Sequence, residues 1–374
     1  MGSHTDSRGE DRWIDLLMNM LKIYSPSGQE KPLASYLAEA MGNLGYEVSL
    51  DAVGNVRGKR GNGRPIIVLC SHMDTVPGPL PIRLEDDYLW GRGAVDAKAS
   101  LAAMIAAGAS IDPYEGRGTI LTIGVVDEEG ASLGVKHLVK ERLQADYAIF
   151  GEPSGLGNIT IGYKGRLQLK IRCSTVSGHA ASPWAFENAI EGAYSIYMRL
   201  RGTLEALKAS SIGNRYESIS VCITGIRGGE APNVVPGNCE ATLDVRLPPS
   251  VRVGEALKVV DEVVEAFRRE NPKVRVGRDL EESSEAFEVP EDSSLVQALS
   301  KAIYAILGTK PKLLRKTGTG DMNLFGMELG IPCVTYGPGE SRLGHTPREC
   351  ISLREFLTSI QVYRKTLENL FSSF

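Results

Sequence analysis

Four short apolar runs punctuate the chain, at residues 65–70 (PIIVLC), 119–126 (TILTIGVV), 147–150 (YAIF) and 332–336 (PCVTY). Such runs predict strands buried on both faces. Helical stretches lie between them, notably 97–109 and 133–143. Apolar strands alternating with helices predict an α/β fold with a largely parallel, doubly wound sheet. Ahead of the first run, Ser27 and Glu30 fit an S-x-x-E capping box, and Leu33, Leu37, Met41 and Leu44 recur at helical spacing. An N-terminal helical layer is expected.

The middle of the chain carries a different period. Residues 166–172 (RLQLKIR) and 240–246 (EATLDVR) alternate polar and apolar, as strands with one solvated face do. Helical segments at 187–207 and 253–269 would cover the other face, which predicts an inserted α+β domain over 163–283. The α/β domain is then expected over 1–162 and 284–374. There is no internal repeat and no low-complexity tract.

Composition narrows the function classes. The chain has 374 residues, 42% of them hydrophobic. At roughly 100–200 residues per domain this suits two folded domains and excludes a disordered or fibrous protein. A net charge of −4 with no long basic run lacks the electrostatic footprint of a nucleic-acid binder. No run approaches the roughly 20 apolar residues of a membrane span, and the N-terminus lacks a signal-peptide layout, so a cytoplasmic enzyme is expected. The six cysteines are scattered without a C-x-x-C pair and read as buried free thiols.

Ligands of open α/β sheets bind beyond the carboxyl ends of the strands. In this chain metal-ligating residue types stand directly after each apolar run. His72 and Asp74 come after the first run, and Asp127, Glu128 and Glu129 after the second. Glu152 comes after the third, and a glycine-rich turn leads from the fourth to His345. Asp96 stands just before the alanine-rich helical stretch. Taken singly, Asp96 reads as a helix N-cap, His72 as a satisfied histidine and Glu128-Glu129 as a solvated turn. Their joint occurrence at successive strand ends points to one site. Imidazole and carboxylate suit zinc, and paired-metal hydrolases hold their ions about 3.5–4 Å apart around a shared bridge. Five ligands with one bridge fit such a pair, whereas no cysteine falls at these positions to make a thiolate site.

The motifs His72-Met-Asp74, Gly91-Arg-Gly-Ala-Val-Asp96, Asp127-Glu-Glu129, Gly151-Glu-Pro-Ser154, Ser177-Gly-His179 and Gly344-His345-Thr346-Pro347 resemble the dizinc aminoacylase and carboxypeptidase family nearly end to end. The resemblance implies a zinc-peptidase-like fold whose inserted domain serves as lid and dimerisation surface. It implies two divalent ions, Zn2+ or alternatively Co2+, with Asp96 as bridge, His72 and Glu152 on one ion, and Glu129 and His345 on the other. It implies that Asp74 orients His72, that Glu128 is the general base, and that the Asp96–Ala97 peptide is cis. His179 resembles the family histidine that stabilises the tetrahedral oxyanion in a partner's active site, which implies a homodimer; read alone, it is a turn histidine. Asn233 and Arg246 match further lid positions that bind substrate, although an arginine on a sheet equally reads as a structural ion pair.

A narrower resemblance concerns the substrate. Gly93-Ala-Val-Asp-Ala-Lys98, residues 159–165 (ITIGYKG), 316–323 (KTGTGDMN) and Tyr336-Gly337-Pro-Gly-Glu340 look like the branch that releases lysine or ornithine from the C-terminal glutamate of an acidic amino-group carrier protein of the LysW type. Such a leaving group needs an acid beyond the metal ligands. Glu340 and Asp321 are the candidates, with Gly337 beside them, although turn acids are usually solvated. The alternative substrates are small acyl amino acids, as for acetylornithine deacetylase or succinyl-diaminopimelate desuccinylase. The alternative outside enzymes is a non-catalytic metal- or amino-acid-binding protein.

Overall fold

A computed structural model describes residues 7–111, 118–207 and 213–373. The chain divides into two compact units: residues 1–162 with 289–314 and 320–374 form the first, and residues 163–288 with 315–319 form the second.

The first unit opens with α1 (Ser7–Lys22) and α2 (Lys31–Asn43), then β1 (Glu47–Leu50), β2 (Val56–Asn62), β3 (Ile66–His72), β4 (Arg83–Glu85), β5 (Tyr88–Trp90) and α3 (Lys98–Ala109). It continues through β6 (Gly118–Val125), α4 (Leu133–Lys140), β7 (Tyr147–Gly151) and β8 (Asn158–Tyr163). Its sheet runs β1-β2-β6-β3-β7, and β7 pairs in turn with β17 (Cys333–Tyr336), which lies beside β8. The central pairs β6/β3, β3/β7 and β7/β17 are parallel, while the flanking pairs are antiparallel. The fold is therefore the mixed α/β architecture with a largely parallel sheet that the apolar runs predict.

The sheet's centre is fully covered. In β3 every residue after Ile66 is buried. Helix α3 is apolar all round and buried along nearly its whole length, the pattern of a helix packed on several sides. It contacts α1, β3 and α9 (Leu353–Ser372). Leu33, Leu37 and Met41 of α2 are buried as their spacing predicts. The capping box is not formed: α2 starts at Lys31, and Glu30, at its N-cap, makes no cap hydrogen bond there. The Ser27 and Glu30 side chains bond instead to segments distant in the chain, Asp74 and Asp127.

The second unit contains β9 (Gly165–Ser174), β10 (Gly178–His179), α5 (Ala189–Ala206), β11 (Ser220–Gly228), β12 (Val234–Val235), β13 (Asn238–Leu247), α6 (Val253–Glu270), β14 (Arg275–Ser284) and β15 (Phe287–Glu288). Strands β11-β13-β9-β14 form an antiparallel sheet. Leu167, Leu169 and Ile171 of β9 and Ala241, Leu243 and Val245 of β13 pack against Ile196 and Leu200 of α5 and Val260 and Val264 of α6. Fully burying each larger aliphatic side chain contributes about 1.5–3 kcal/mol, enough for this unit to hold a core of its own. Residues 315–319 join this unit because Thr319 Oγ1 donates to the Lys164 carbonyl at 2.7 Å and Arg315 pairs with Glu288 at 2.8 Å. These are links between side chains and distant segments that no local pattern reveals. No helix among the described residues is long and apolar enough to cross a membrane.

Candidate active site

The strand ends of the first unit converge. His72, the last residue of β3, is 1% exposed. Its Nδ1 faces the Asp74 main-chain carbonyl at 2.9 Å, with Asp74 Oδ1 at 3.5 Å. Acceptors on that side favour a ring proton on Nδ1, which would leave Nε2 to face a cation. Nε2 stands 3.1 Å from Asp96 Oδ1 and 3.7 Å from Glu152 Oε1. The other oxygen of Asp96 lies 3.3 Å from His345 Nε2, which also meets Glu129 Oε1 at 2.6 Å. Asp96 thus stands between two imidazoles, one on each oxygen, each with a second carboxylate. It does not cap α3, whose N-cap is Ala97 with no side-chain hydrogen bond. The Asp96–Ala97 peptide is cis.

The Asp74 carboxylate has a larger task than holding His72. It is fully buried and accepts Ser27 Oγ at 2.7 Å, Glu128 N–H at 3.1 Å and Glu129 N–H at 3.0 Å. Glu30 Oε1 accepts the N–H groups of Gly28 and Asp127, both at 3.0 Å. These bonds anchor the turn after β6, where Asp127 and Ser132 adopt left-handed backbone (φ 61° and 53°). Non-glycine residues in that region are strained and persist where surrounding contacts enforce them. Close backbone approaches also shape the site. A Cβ on Gly344 would stand 2.9 Å from Asp96 Oδ2, and one on Gly337 would stand 2.6 Å from the Glu152 carbonyl oxygen and 2.3 Å from Ser100 Oγ.

The electrostatics match the donor set. Burial pushes the Glu128 carboxyl up to about 8, with Asp321, Glu129 and Asp96 adding to the effect against the opposing charge of His72. Burial also raises Glu129. Burial works against a charge on His72, yet Glu152, Asp74 and Asp96 hold it well above the ordinary imidazole range. Hydrogen bonding to Asp96 is the main reason His345 is raised to about 9. Asp96, Glu128, Glu129 and Glu152 crowd around two histidines, an excess of negative charge that divalent cations would neutralise. One ligating atom each from His72, Asp96 and Glu129 lie within 4.8 Å of one another. The residues present therefore fit a bound metal.

Of the substrate candidates, Asp321 is 7% exposed, and both its carboxylate oxygens are buried. Burial raises it to about 6, although the nearby Ser132 side chain favours the charged form. It opens α8 (Asp321–Leu329), and a Cβ on the preceding Gly320 would stand 4.0 Å from Glu128 Oε1. Glu340 differs: it is exposed and paired with Arg342 at 3.3 Å. In the second unit, His179 is exposed on β10, opposite Val234 of β12, and its Nδ1 accepts the Ala181 N–H at 3.0 Å. Asn233 lies beside this ribbon, its carbonyl accepting the Ala180 N–H at 2.9 Å. Arg246 is paired with Asp244 at 2.6 Å and donates to Thr319 Oγ1 at 3.1 Å.

Sequence reasoning passed over Ser27, Glu30 and Glu349. The first two carried a signal, but a local one that pointed to a helix cap. Glu349 lies four residues after His345 and is fully buried, which a charged residue in a turn does not announce.

An α/β sheet whose strand ends gather imidazoles and carboxylates around one aspartate fits the class of metal-dependent hydrolases. The model of "Peptidase family M20/M25/M40" matches residues 68–369. A relative from Pyrococcus furiosus, provisionally named LysW-lysine/LysW-ornithine hydrolase, is 38% identical over 96% of this chain and 98% of its own. The LysW-lysine hydrolase of Deinococcus radiodurans is 32% identical over 95% of this chain and 96% of its own. Among solved structures, a tripeptidase from Staphylococcus aureus superposes with a TM-score of 0.83 at 22% identity, covering 97% of this chain and 99% of that one. The chain belongs to peptidase family M20/M25/M40, and it is an amidohydrolase.

Proposed function

We propose that this chain hydrolyses the amide bond between the C-terminal glutamate of an acidic amino-group carrier protein and the α-amine of lysine or ornithine, using two divalent cations. The observation that carries the metal reading is the arrangement of Asp96, with one carboxylate oxygen toward each of two imidazoles. His72 and Glu152 would hold one ion with Asp96, and His345 and Glu129 the other. The donors are imidazole and carboxylate, a set that suits Zn2+ and accepts Co2+. The near full-length likeness to hydrolases named for the LysW carrier supports the substrate.

Bound there, the cations supply Lewis-acid polarisation of the amide carbonyl and a lowered pKa for water. Glu128 supplies the base. Its main chain is tied to Asp74, which fixes the turn that presents its carboxylate to the site. As the water oxygen bonds to the carbonyl carbon, Glu128 takes the water proton. It returns the proton to the amine nitrogen as the C–N bond breaks. Asp321, its carboxylate buried, would receive the side-chain ammonium of the leaving amino acid. Arg246 and Asn233 would contribute to substrate binding, and His179, exposed on its ribbon, would stabilise the oxyanion in the partner of a homodimer.

The test is release of lysine and ornithine from the loaded carrier, beside release from N-acetylornithine and N-succinyl-diaminopimelate, with Glu128→Gln as control. Turnover confined to the carrier supports the proposal. Preferential turnover of a small acyl substrate replaces the carrier with a free acyl amino acid. Unchanged turnover by Glu128→Gln would overturn the assignment of the base.

A further inference from the structure

Glu349 is 0% exposed and surrounded by donors. Its Oε1 accepts the main-chain N–H groups of Gly93 at 3.0 Å, Val95 at 3.1 Å and Asp96 at 3.1 Å. Its Oε2 accepts Arg92 Nη1 at 2.7 Å, and its carbonyl accepts the Gly91 N–H at 3.2 Å. Residues 91–96 are thus folded as a nest around one carboxylate, and converging backbone N–H groups of this kind stabilise an anion. The placement is reinforced from both sides. Cys350 pairs with Trp90 where β18 (Cys350–Ser352) meets β5, which sets Glu349 opposite Gly91. Arg92 also donates to the Thr346 carbonyl at 3.3 Å, next to His345. One short segment therefore carries the imidazole on Asp96 Oδ2 and the carboxylate that holds the Asp96 main chain.

From this juxtaposition we infer that Glu349 is a positioning residue for the metal pair, locking Asp96 and His345 to a common frame so that both Asp96 oxygens are presented at once. The inference rests on the reading of Asp96 as the bridge. The nest holds the backbone on either side of Val95, so the Asp96 carboxylate needs no ordering when a cation arrives. Replacing Glu349 by glutamine keeps one acceptor oxygen but turns an amide N–H2 toward Arg92, donor against donor. The nest loses its charge and its grip.

The experiment is titration of chelator-treated full-length protein with Co2+, read by its visible absorption, for the wild type, Glu349→Gln and Asp96→Asn. Glu349→Gln is expected to keep the wild-type far-ultraviolet circular dichroism and to lose about 10- to 100-fold in Co2+ affinity, as outer-shell replacements typically do. Its kcat should recover in excess metal, with KM for substrate unchanged. Wild-type Co2+ affinity in a folded Glu349→Gln, or lowered thermal stability with metal affinity intact, would overturn the inference. Asp96→Asn separates the two readings. If it loses metal while Glu349→Gln does not, only the clamp fails; if Asp96→Asn also binds Co2+ as the wild type does, the bridge and the clamp fail together. Should Glu349→Gln not fold, Glu349→Asp keeps the charge and withdraws it by one methylene, and the same loss of affinity is expected. Wild-type affinity in that variant would equally overturn the inference.

Discussion

Asp74→Asn isolates what a single buried carboxylate does for the turn that carries Glu128 and Glu129. The wild-type group accepts Ser27 Oγ and Glu129 N–H on Oδ2 and Glu128 N–H on Oδ1. An amide offers one acceptor oxygen. Placed at the Oδ2 position it keeps the first two bonds, and its N–H2 then opposes the Glu128 N–H. One hydrogen bond to a charged acceptor, worth about 1.5–3 kcal/mol, is lost, and a donor is left without a partner at a further cost of about 1–3 kcal/mol. Because the turn relaxes in part, the expected net loss is about 2–4 kcal/mol. Glu128 and Glu129 move with that turn, so kcat/KM should fall at least about 10- to 100-fold at saturating metal. Ser27→Ala removes one bond and leaves both N–H groups paired, and it should cost less on both measures. Urea denaturation followed by circular dichroism, together with steady-state kinetics, checks the pair. An Asp74→Asn protein with the wild-type midpoint and rate, or a Ser27→Ala protein more damaged than Asp74→Asn, would refute the reasoning.

Asp51 gives a pH dependence of stability. Burial opposes its charge, but Arg57, Asn55 and the turn that comes after it hold the carboxyl below its ordinary value. The stabilisation is present above the unfolded pKa of about 3.9 and is lost as pH falls through the lower folded value, so Asp51→Asn should be less stable at pH 7 and converge with the wild type in acid, as thermal unfolding across pH will show. Gly337→Ala forces a Cβ against the Glu152 carbonyl and Ser100 Oγ; a loss of about 1–3 kcal/mol with reduced activity is expected from denaturation and kinetics. Chelation should abolish turnover and lower the unfolding temperature, both restored by Zn2+ or Co2+. At free metal 100-fold above Kd the stabilisation is about 2.7 kcal/mol, and a midpoint indifferent to chelator would count against the metal reading.

The imidazoles and carboxylates gathered at the site were readable in type because His72, Glu128, Glu129 and Glu152 stand at or just past the ends of apolar runs, and β3, β6 and β7 carry them there. Ser27 and Glu30 show the limit of local patterns. Their spacing satisfies a helix cap, but Asp74 and Asp127, remote in the chain, compete for the same side chains and win. Glu349 was invisible for the complementary reason, since its partners are main-chain N–H groups and a sequence does not display where those point. Asp321 and Glu340 looked alike as acids in glycine-rich turns, and packing alone separates them: one is buried, the other exposed beside an arginine.

The sequence by itself determined the fold class, the alternation that marks the second unit, and the chemical types gathered at the strand ends, because hydrophobic period and residue chemistry are local properties. Only the tertiary structure decided which oxygen of Asp96 meets which imidazole, that Asp74 holds the turn of Glu128 and Glu129, and that Glu349 grips the backbone of the aspartate. Those relations depend on distances between segments that come together only when the sheet closes its register, so no window of sequence contains them.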